Sequence, residues 1–399
     1  MTLSRLIYRS LRQHALSTLV TAGSIALAAG LLMAVWAVKT QAQRAFTETT
    51  TGFDAVLGAR GSKLQLVLNA IFHLEASPGN LAWADYEQIA KHPAVKAAVP
   101  IAVGDNFEGW RMVGTVPELF TTVEFDAGRR YAFASGGLFG DGREAVVGSF
   151  AAQKLGWKVG DTFRPYHGLN FDPGAQHEEV FKVVGILAPT NTPADRVIWI
   201  PIKGVQTMSG HDPRAATDVS AVLVQFRAAT AGIMLDVMYN KQGNRLTLAF
   251  PTGAIIADLF AKIGWFDRVL ELVAYLVALV AAGSVLACIY ASMSARQRDI
   301  AILRALGARR RTIFGAVVAE AAAIGALGAV AGFGIYFGLL AGVAEVIRAQ
   351  TGVVLAVGEW HAVLWMCPLG MIGLAALGGI VPAVKAYRVP VAETLAPVS

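Results

Sequence analysis

A chain of 399 residues that is 55% hydrophobic and only 16% charged, with a mean hydropathy of +0.52, is too apolar for a soluble domain, so part of it must face lipid. The formal net charge of +6 gives little support to nucleic-acid binding, because the basic excess sits in short segments beside apolar runs. Cys288 and Cys367, the two cysteines, both fall inside such runs, which excludes a disulfide framework for the remainder.

Residues 2–16 place Leu3, Leu6, Ile7, Ser10 and Leu11 on one helical face and Arg5, Arg9 and Arg12 on the other. That pattern fits a helix lying along the inner membrane surface, or a positive flank that fixes orientation. Residues 17–38 carry no charge and are long enough to cross a bilayer. They exceed the apolar core of a signal peptide and the 39–44 flank is a weak cleavage site, so an uncleaved anchor is expected.

Residues 41–268 hold 21 basic and 22 acidic side chains, with turn signals and short alternating runs. They read as one mixed α+β domain large enough to bury its own core. Within 52–80 a glycine-punctuated stretch leads into Leu64, Val67, Leu68, Ile71, Phe72 and Glu75 at helical spacing. This stripe is either a surface for an apolar substrate or partner, or the core-facing side of a helix. Residues 83–92 read as a second helix. Strands are expected over 95–103, 110–116, 144–148, 180–187, 196–202 and 220–226, with helices at 149–155, 233–239 and 254–266. The last of these runs directly into the second apolar run.

Little in this domain points to chemistry. His177-Glu178-Glu179-Val180-Phe181 starts like a zinc-protease helix, but Phe181 stands where the second histidine is needed. His73, His92, His167, His177 and His211 show no ligand spacing and are read as surface or capping residues, so no metal site and no catalytic residue are assigned. A phosphate-gripping G-x-x-x-x-G-K-[ST] loop is missing from the sequence, so energy from ATP must come from another subunit.

Three more apolar runs follow: 269–295 with Glu271, 312–347 with Glu320 and Glu345, and 360–384 without charge. Arg5, Arg9 and Arg12, the loop residues Arg296, Arg298, Arg304, Arg309, Arg310 and Arg311, and the tail residues Lys385 and Arg388 place both termini and the loop in the cytoplasm. In that loop Ile300, Leu303 and Leu306 or Gly307 share a helical face that needs a cover, either a partner subunit or lipid. Span three contains Gly328-x-x-x-Gly332 and Gly334-x-x-x-Gly338, spacings that let helices approach closely, either within one subunit or across a dimer. Glu320 lies about 13 Å beyond Arg311 along that helix and is expected to meet an arginine or a helix end.

The segment RQRDIAILRALGARRRTIFGAVVAEAAAIGALGAVAGFGIYFG strongly resembles the signature of the FtsX-like permease family, the membrane subunits of MacB-type ABC transporters. The matching positions are Arg296, Arg298, Asp299, Ile300, Ile302, Leu303, Arg304, Ala305, Leu306, Gly307, Ala308, Glu320, Gly328 and Gly332. The tail, with Pro382, Ala386, Pro390, Ala392 and Leu395, resembles the family's ending. More loosely, Glu144 to Gly148, Ala152, Leu155-Gly156, Gly160-Asp161 and Val183 to Leu187 resemble the MacB-type periplasmic domain.

The resemblance implies an α-helical membrane protein with four transmembrane helices and a large α+β extracytoplasmic domain between the first and second. Its parts would be a cytoplasmic amphipathic helix at 1–16, spans at 17–40, 266–294, 312–345 and 360–386, and the outer domain at 41–265. A coupling loop at 295–311, a short external loop at 346–359 and a cytoplasmic tail at 387–399 complete the division. The chain would be a non-catalytic bacterial inner-membrane subunit that binds no cofactor itself. Two ABC ATPase subunits carrying ATP and Mg would bind below it, a second permease chain beside it, and a periplasmic adaptor or binding protein outside; no nucleic acid is involved. The loop residues Arg296, Arg298, Asp299, Ile300, Leu303, Arg304, Leu306 and Gly307 would couple to the ATPase, with Glu320, Gly328 and Gly332 serving coupling and packing inside the membrane. ATP-driven closure would then be passed to the outer domain to export, extract or release a substrate. The alternative is a regulator that activates or recruits a cell-envelope enzyme under ATPase control.

Overall fold

The computed structural model describes residues 3–48, 52–126, 128–211, 217–243, 245–295, 297–355 and 358–387. The chain divides into two compact units. One comprises residues 42–263 together with 345–355; the other comprises 1–41, 264–344 and 356–399.

The first unit is built on a mixed sheet whose main path runs Leu246–Ala249, Ala55–Ala59, Ala221–Phe226, Val95–Phe107, Trp110–Thr115, Ile198–Pro201, Glu144–Val147, Phe181–Leu187 and Phe133–Gly136. Trp110–Thr115 with Ile198–Pro201, and Glu144–Val147 with Phe181–Leu187, pair in parallel; the other pairs along the path are antiparallel. Alternation along the strands covers both faces. Val56, Val99, Ile101, Val113, Trp199 and Leu223 enter one core, while Ala55, Leu57, Ala102, Met112, Ile198, Ile200, Val222 and Val224 enter the other.

Each strand expected between residues 95 and 226 has an observed counterpart within a few residues. Of the strands on the main path, Ala55–Ala59, Phe133–Gly136 and Leu246–Ala249 were not foreseen. Residues 345–355 complete the first core: Val353 and Leu355 are buried, Glu345 pairs with Lys154 at 3.1 Å, and the Arg348 guanidinium lies 4.9 Å from the Phe150 ring centre. The expected external loop at 346–359 is therefore in good part helix and core, since Arg310–Thr351 is one continuous helix.

His73 lies in this unit with its ring edge-on to Trp199, centroids 5.6 Å apart. Burial, with added repulsion from the Arg111 and Arg196 guanidiniums, pushes its imidazole down to about 3 from an ordinary 6.5. The folded state thus keeps the neutral ring while the unfolded chain gains a proton, so this stabilisation is complete above about pH 6.5 and is lost as pH falls toward 3. The thermal midpoint of this unit is expected to fall between pH 7 and 5, and the fall should be shallower in His73→Asn, a residue type that tolerates the local φ of +55°. Equal slopes in calorimetry would refute the assignment.

Among the described residues, Ala15–Thr47, Thr252–Ala291, Arg310–Thr351 and Val363–Lys385 are helical stretches long and apolar enough to cross a membrane. They meet along a seam of small and branched residues that includes Ala28, Ala29, Met33, Ala281, Val285, Ala321, Ile324, Met371 and Ala375. Leu3–Gln13 forms the expected N-terminal helix, with Arg5, Arg9 and Arg12 exposed, Leu11 against the seam and Ser10 fully buried.

Candidate functional site

The basic loop contains the helix Gln297–Ala305, and Gly307, at φ +96°, turns the chain before the next helix starts at Arg310. Arg296 lies outside the described residues, as do the side chains of Arg298, Asp299 and Leu303. Ile300, expected on the partner-facing side, is instead buried in the chain's own seam with Ile313 and Val317. Among the described side chains of this segment, Ile302 and Leu306, 42% and 79% exposed, are large apolar ones turned outward. A 3.6-residue period locates stripes on so short a helix without saying which one faces the chain itself. Arg304 is half-buried, and Arg309, Arg310 and Arg311 are exposed.

Farther along the third long helix, buried Glu320 accepts a hydrogen bond from the Ser10 hydroxyl of the N-terminal helix. Gly328 and Gly332 face the first long helix. A Cβ at Gly328 would stand 2.6 Å from Ile25 Cβ, and one at Gly332 would stand 3.0 Å from Ala29 Cβ, so this pair serves contacts within the subunit. Neither Gly334 nor Gly338 has an atom within 4 Å of such a Cβ.

The stripe at Leu64, Val67, Leu68, Ile71 and Phe72 offers no open surface. Val67, Ile71 and Phe72 are buried, Leu64 and Leu68 press against the same core, and Phe72 packs on Phe46 with centroids 5.4 Å apart. The helix Lys63–Ala70 is capped by Ser62 and turns its apolar side to the sheet.

A cluster that spacing did not reveal lies at the other side of the sheet. Asp105, fully buried on the strand Val95–Phe107, has Oδ1 at 3.0 Å from His177 Nε2, 3.1 Å from His211 Nε2 and 3.5 Å from His167 Nδ1. Three of the five histidines read as scattered therefore converge on one carboxylate.

Backbone pairing brings them together. The short strand Tyr166–His167 lies against the long strand with His167 opposite Asp105, next to a register shift between Val103 and Asp105. The His177 amide donates to the Pro165 carbonyl at 2.9 Å. Asn106 donates to the carbonyls of Tyr166, Gly168 and Asn170, clamping the loop that carries His167. Glu179 accepts from the Ser209 amide and hydroxyl, tying the His177 segment to the His211 segment. Burial would raise the Asp105 carboxyl, but hydrogen bonds from His177 and His211 outweigh it and hold the group low; the same Asp105 contact raises His211. His–carboxylate spacing of this kind suits either an imidazolium–carboxylate group or a bound cation.

A family model described as the MacB-like periplasmic core domain matches residues 18–232, and one described as the FtsX-like permease C-terminal matches residues 271–391. Over 145 residues the chain is 32% identical to the macrolide export ATP-binding/permease protein MacB of Hyphomonas neptunium. That stretch is 36% of this chain and spans only 21% of the relative's length. Among solved structures, the periplasmic region of MacB from Actinobacillus actinomycetemcomitans aligns with TM-score 0.36 and 11% identity, covering 53% of this chain and 96% of that one. The extracellular domain of the noncanonic ABC-type transporter YknZ from Gram-positive bacteria aligns with TM-score 0.31 and 15% identity, covering 48% of this chain and 97% of that one.

Proposed function

This chain belongs to the MacB/FtsX-like permeases, membrane subunits of ABC transporters, and on that premise we propose that it transmits ATP-driven motion from a separate ATPase to its extramembrane domain. That domain then exports, extracts or releases a substrate on the far side of the inner membrane. Both termini and the basic loop lie in the cytoplasm, two ATPase subunits dock there, and a second permease chain completes the assembly. Hydrolysis of ATP with Mg takes place in those partners.

The observation that carries this reading is the loop helix Gln297–Ala305, held between two membrane-length helices. Its inner side is anchored in the seam through Ile300, with Ala301 buried beside it, while Ile302 and Leu306 stand out beside exposed arginines. An anchored helix with an outward apolar pair and a basic rim is shaped to seat in a groove of another protein. The helix Thr252–Ala295 contributes residues to both compact units.

Affinity purification of the full chain from detergent-solubilised membranes tests the proposal. An ABC ATPase is expected to remain bound in an equimolar amount, with its hydrolysis stimulated by the permease. Stable recovery of a cell-envelope hydrolase whose activity follows ATP turnover would favour the regulatory alternative. Purification with no ATPase under any nucleotide condition would overturn the reading.

A further inference from the structure

We propose that Asp105, His167, His177 and His211 form a binding site for one divalent transition-metal ion, with zinc the best match, in the extramembrane domain. The ligand atoms all lie within 4.8 Å of one another, and Asp105 Oδ1 is 3.0 to 3.5 Å from the nearest nitrogen of each ring. Four ligands bonded to zinc at about 2.0–2.2 Å in a tetrahedron stand roughly 3.3–3.5 Å from each other. With separations of up to 4.8 Å, ligand shifts on the order of an ångström or less convert the cluster into a coordination shell. The donor set also chooses the ion: three imidazoles and one carboxylate suit zinc and its late first-row neighbours, whereas magnesium and calcium take oxygen shells.

His211 supplies an independent argument. Its Nδ1 lies 2.9 Å from the Val205 carbonyl, an acceptor, so Nδ1 must carry the proton and donate. In the neutral ring Nε2 is then a bare lone pair directed at Asp105 Oδ1, 3.1 Å away. Two acceptors facing each other repel unless a proton or a metal cation lies between them. A backbone carbonyl holding one ring nitrogen so that the other is left for a metal is a recurrent device of metal sites.

Asp105 supplies another. Three rings crowd Oδ1, while Oδ2 is buried without a hydrogen-bond partner among the described residues. A buried carboxylate oxygen left in this way is costly, and a metal ion gives it a partner, by bidentate ligation or by neutralising the group's charge. A route for the ion is present as well. His167 is 55% exposed, and with His211 it lines a cavity of about 260 Å³ that also meets Asn80, Asp218 and Ser220. Asn106 and Glu179 fix the ligand-bearing segments without ligating, which lowers the ordering cost of binding.

The test uses the full chain, purified in detergent through a tag without histidines and stripped with a chelator. Titration with cobalt(II) alone is expected to give the intense visible absorption of a tetrahedral site at one equivalent per chain, abolished by one equivalent of zinc. His177→Ala and His211→Ala should weaken zinc by roughly 100-fold or more, and zinc should raise the thermal midpoint of the wild type but not of these variants. Should these two substitutions prevent folding, His167→Ala, at the half-exposed ligand, carries the test with a loss of roughly 10- to 100-fold. The absence of a cobalt spectrum at one equivalent, or zinc affinity unchanged in His167→Ala, would overturn the proposal and identify the cluster as an imidazolium–carboxylate group.

Discussion

Leu306→Asp is expected to abolish retention of the ATPase by the solubilised chain while leaving folded yield unchanged. Leu306 is 79% exposed, so a charge there costs the free chain little. Burying a leucine in a partner contributes about 1.5–3 kcal/mol, which is roughly 10- to 150-fold in affinity, and an unpaired carboxylate in the same groove adds a desolvation penalty. Single substitutions of Arg309, Arg310 or Arg311, all exposed, should each cost on the order of 1 kcal/mol or less. Ile300→Asp is the wrong probe, because Ile300 is part of the seam and its loss would damage the membrane unit itself. Pull-downs in which Leu306→Asp holds the ATPase as well as the wild type does would show that this surface meets lipid.

Glu320→Gln is expected to leave the ATPase bound but cut the stimulation of its hydrolysis by at least about tenfold. Hydrogen bonds to charged groups contribute about 1.5–3 kcal/mol. If the Ser10–Glu320 contact is made in one conformation of the transport cycle and loosened in the other, its loss shifts that equilibrium by roughly 10- to 150-fold. Ser10→Ala, which deprives the buried carboxylate of a donor, should act in the same direction. Stimulation at the wild-type level in both variants would assign the contact to packing alone.

The four long apolar helices and the strand Glu144–Val147 were legible in the sequence because each is one uninterrupted apolar segment, the helices recognisable by length and scarcity of charge and the strand by its short apolar run bounded by turn residues. Ala55–Ala59 was not, since Gly52, Gly58 and Gly61 around it read as turn punctuation, and Leu246–Ala249 is a four-residue edge strand that depends on it. The Leu64 to Phe72 stripe showed its period but not its destination, because a helix facing a sheet and one facing a ligand share the same spacing. The histidine cluster was illegible for a different reason. Its members come from a strand, a two-residue strand and two loops, brought together by the pairing of His167 with Asp105 across the sheet and by the loop hydrogen bonds at His177 and Glu179. The one available hint, three histidines and nearby glycines within 167–211, carries no period. Ser10 could not be matched to Glu320 from sequence because 310 residues separate them.

Residues 345–355 have a bearing on how the molecule is made. Val353 and Leu355 fill the core of a domain whose other residues end at 263. On the ribosome, the sheet is fully translated well before its last core residues exist, and at ordinary elongation rates the interval is on the order of ten seconds. Within that interval the chain must also deliver two long apolar helices to the lipid, with part of the core still open to water. Completion of the domain is thereby timed by membrane insertion, and a fragment ending at residue 263 would be left in that unfinished state however long it is given to fold.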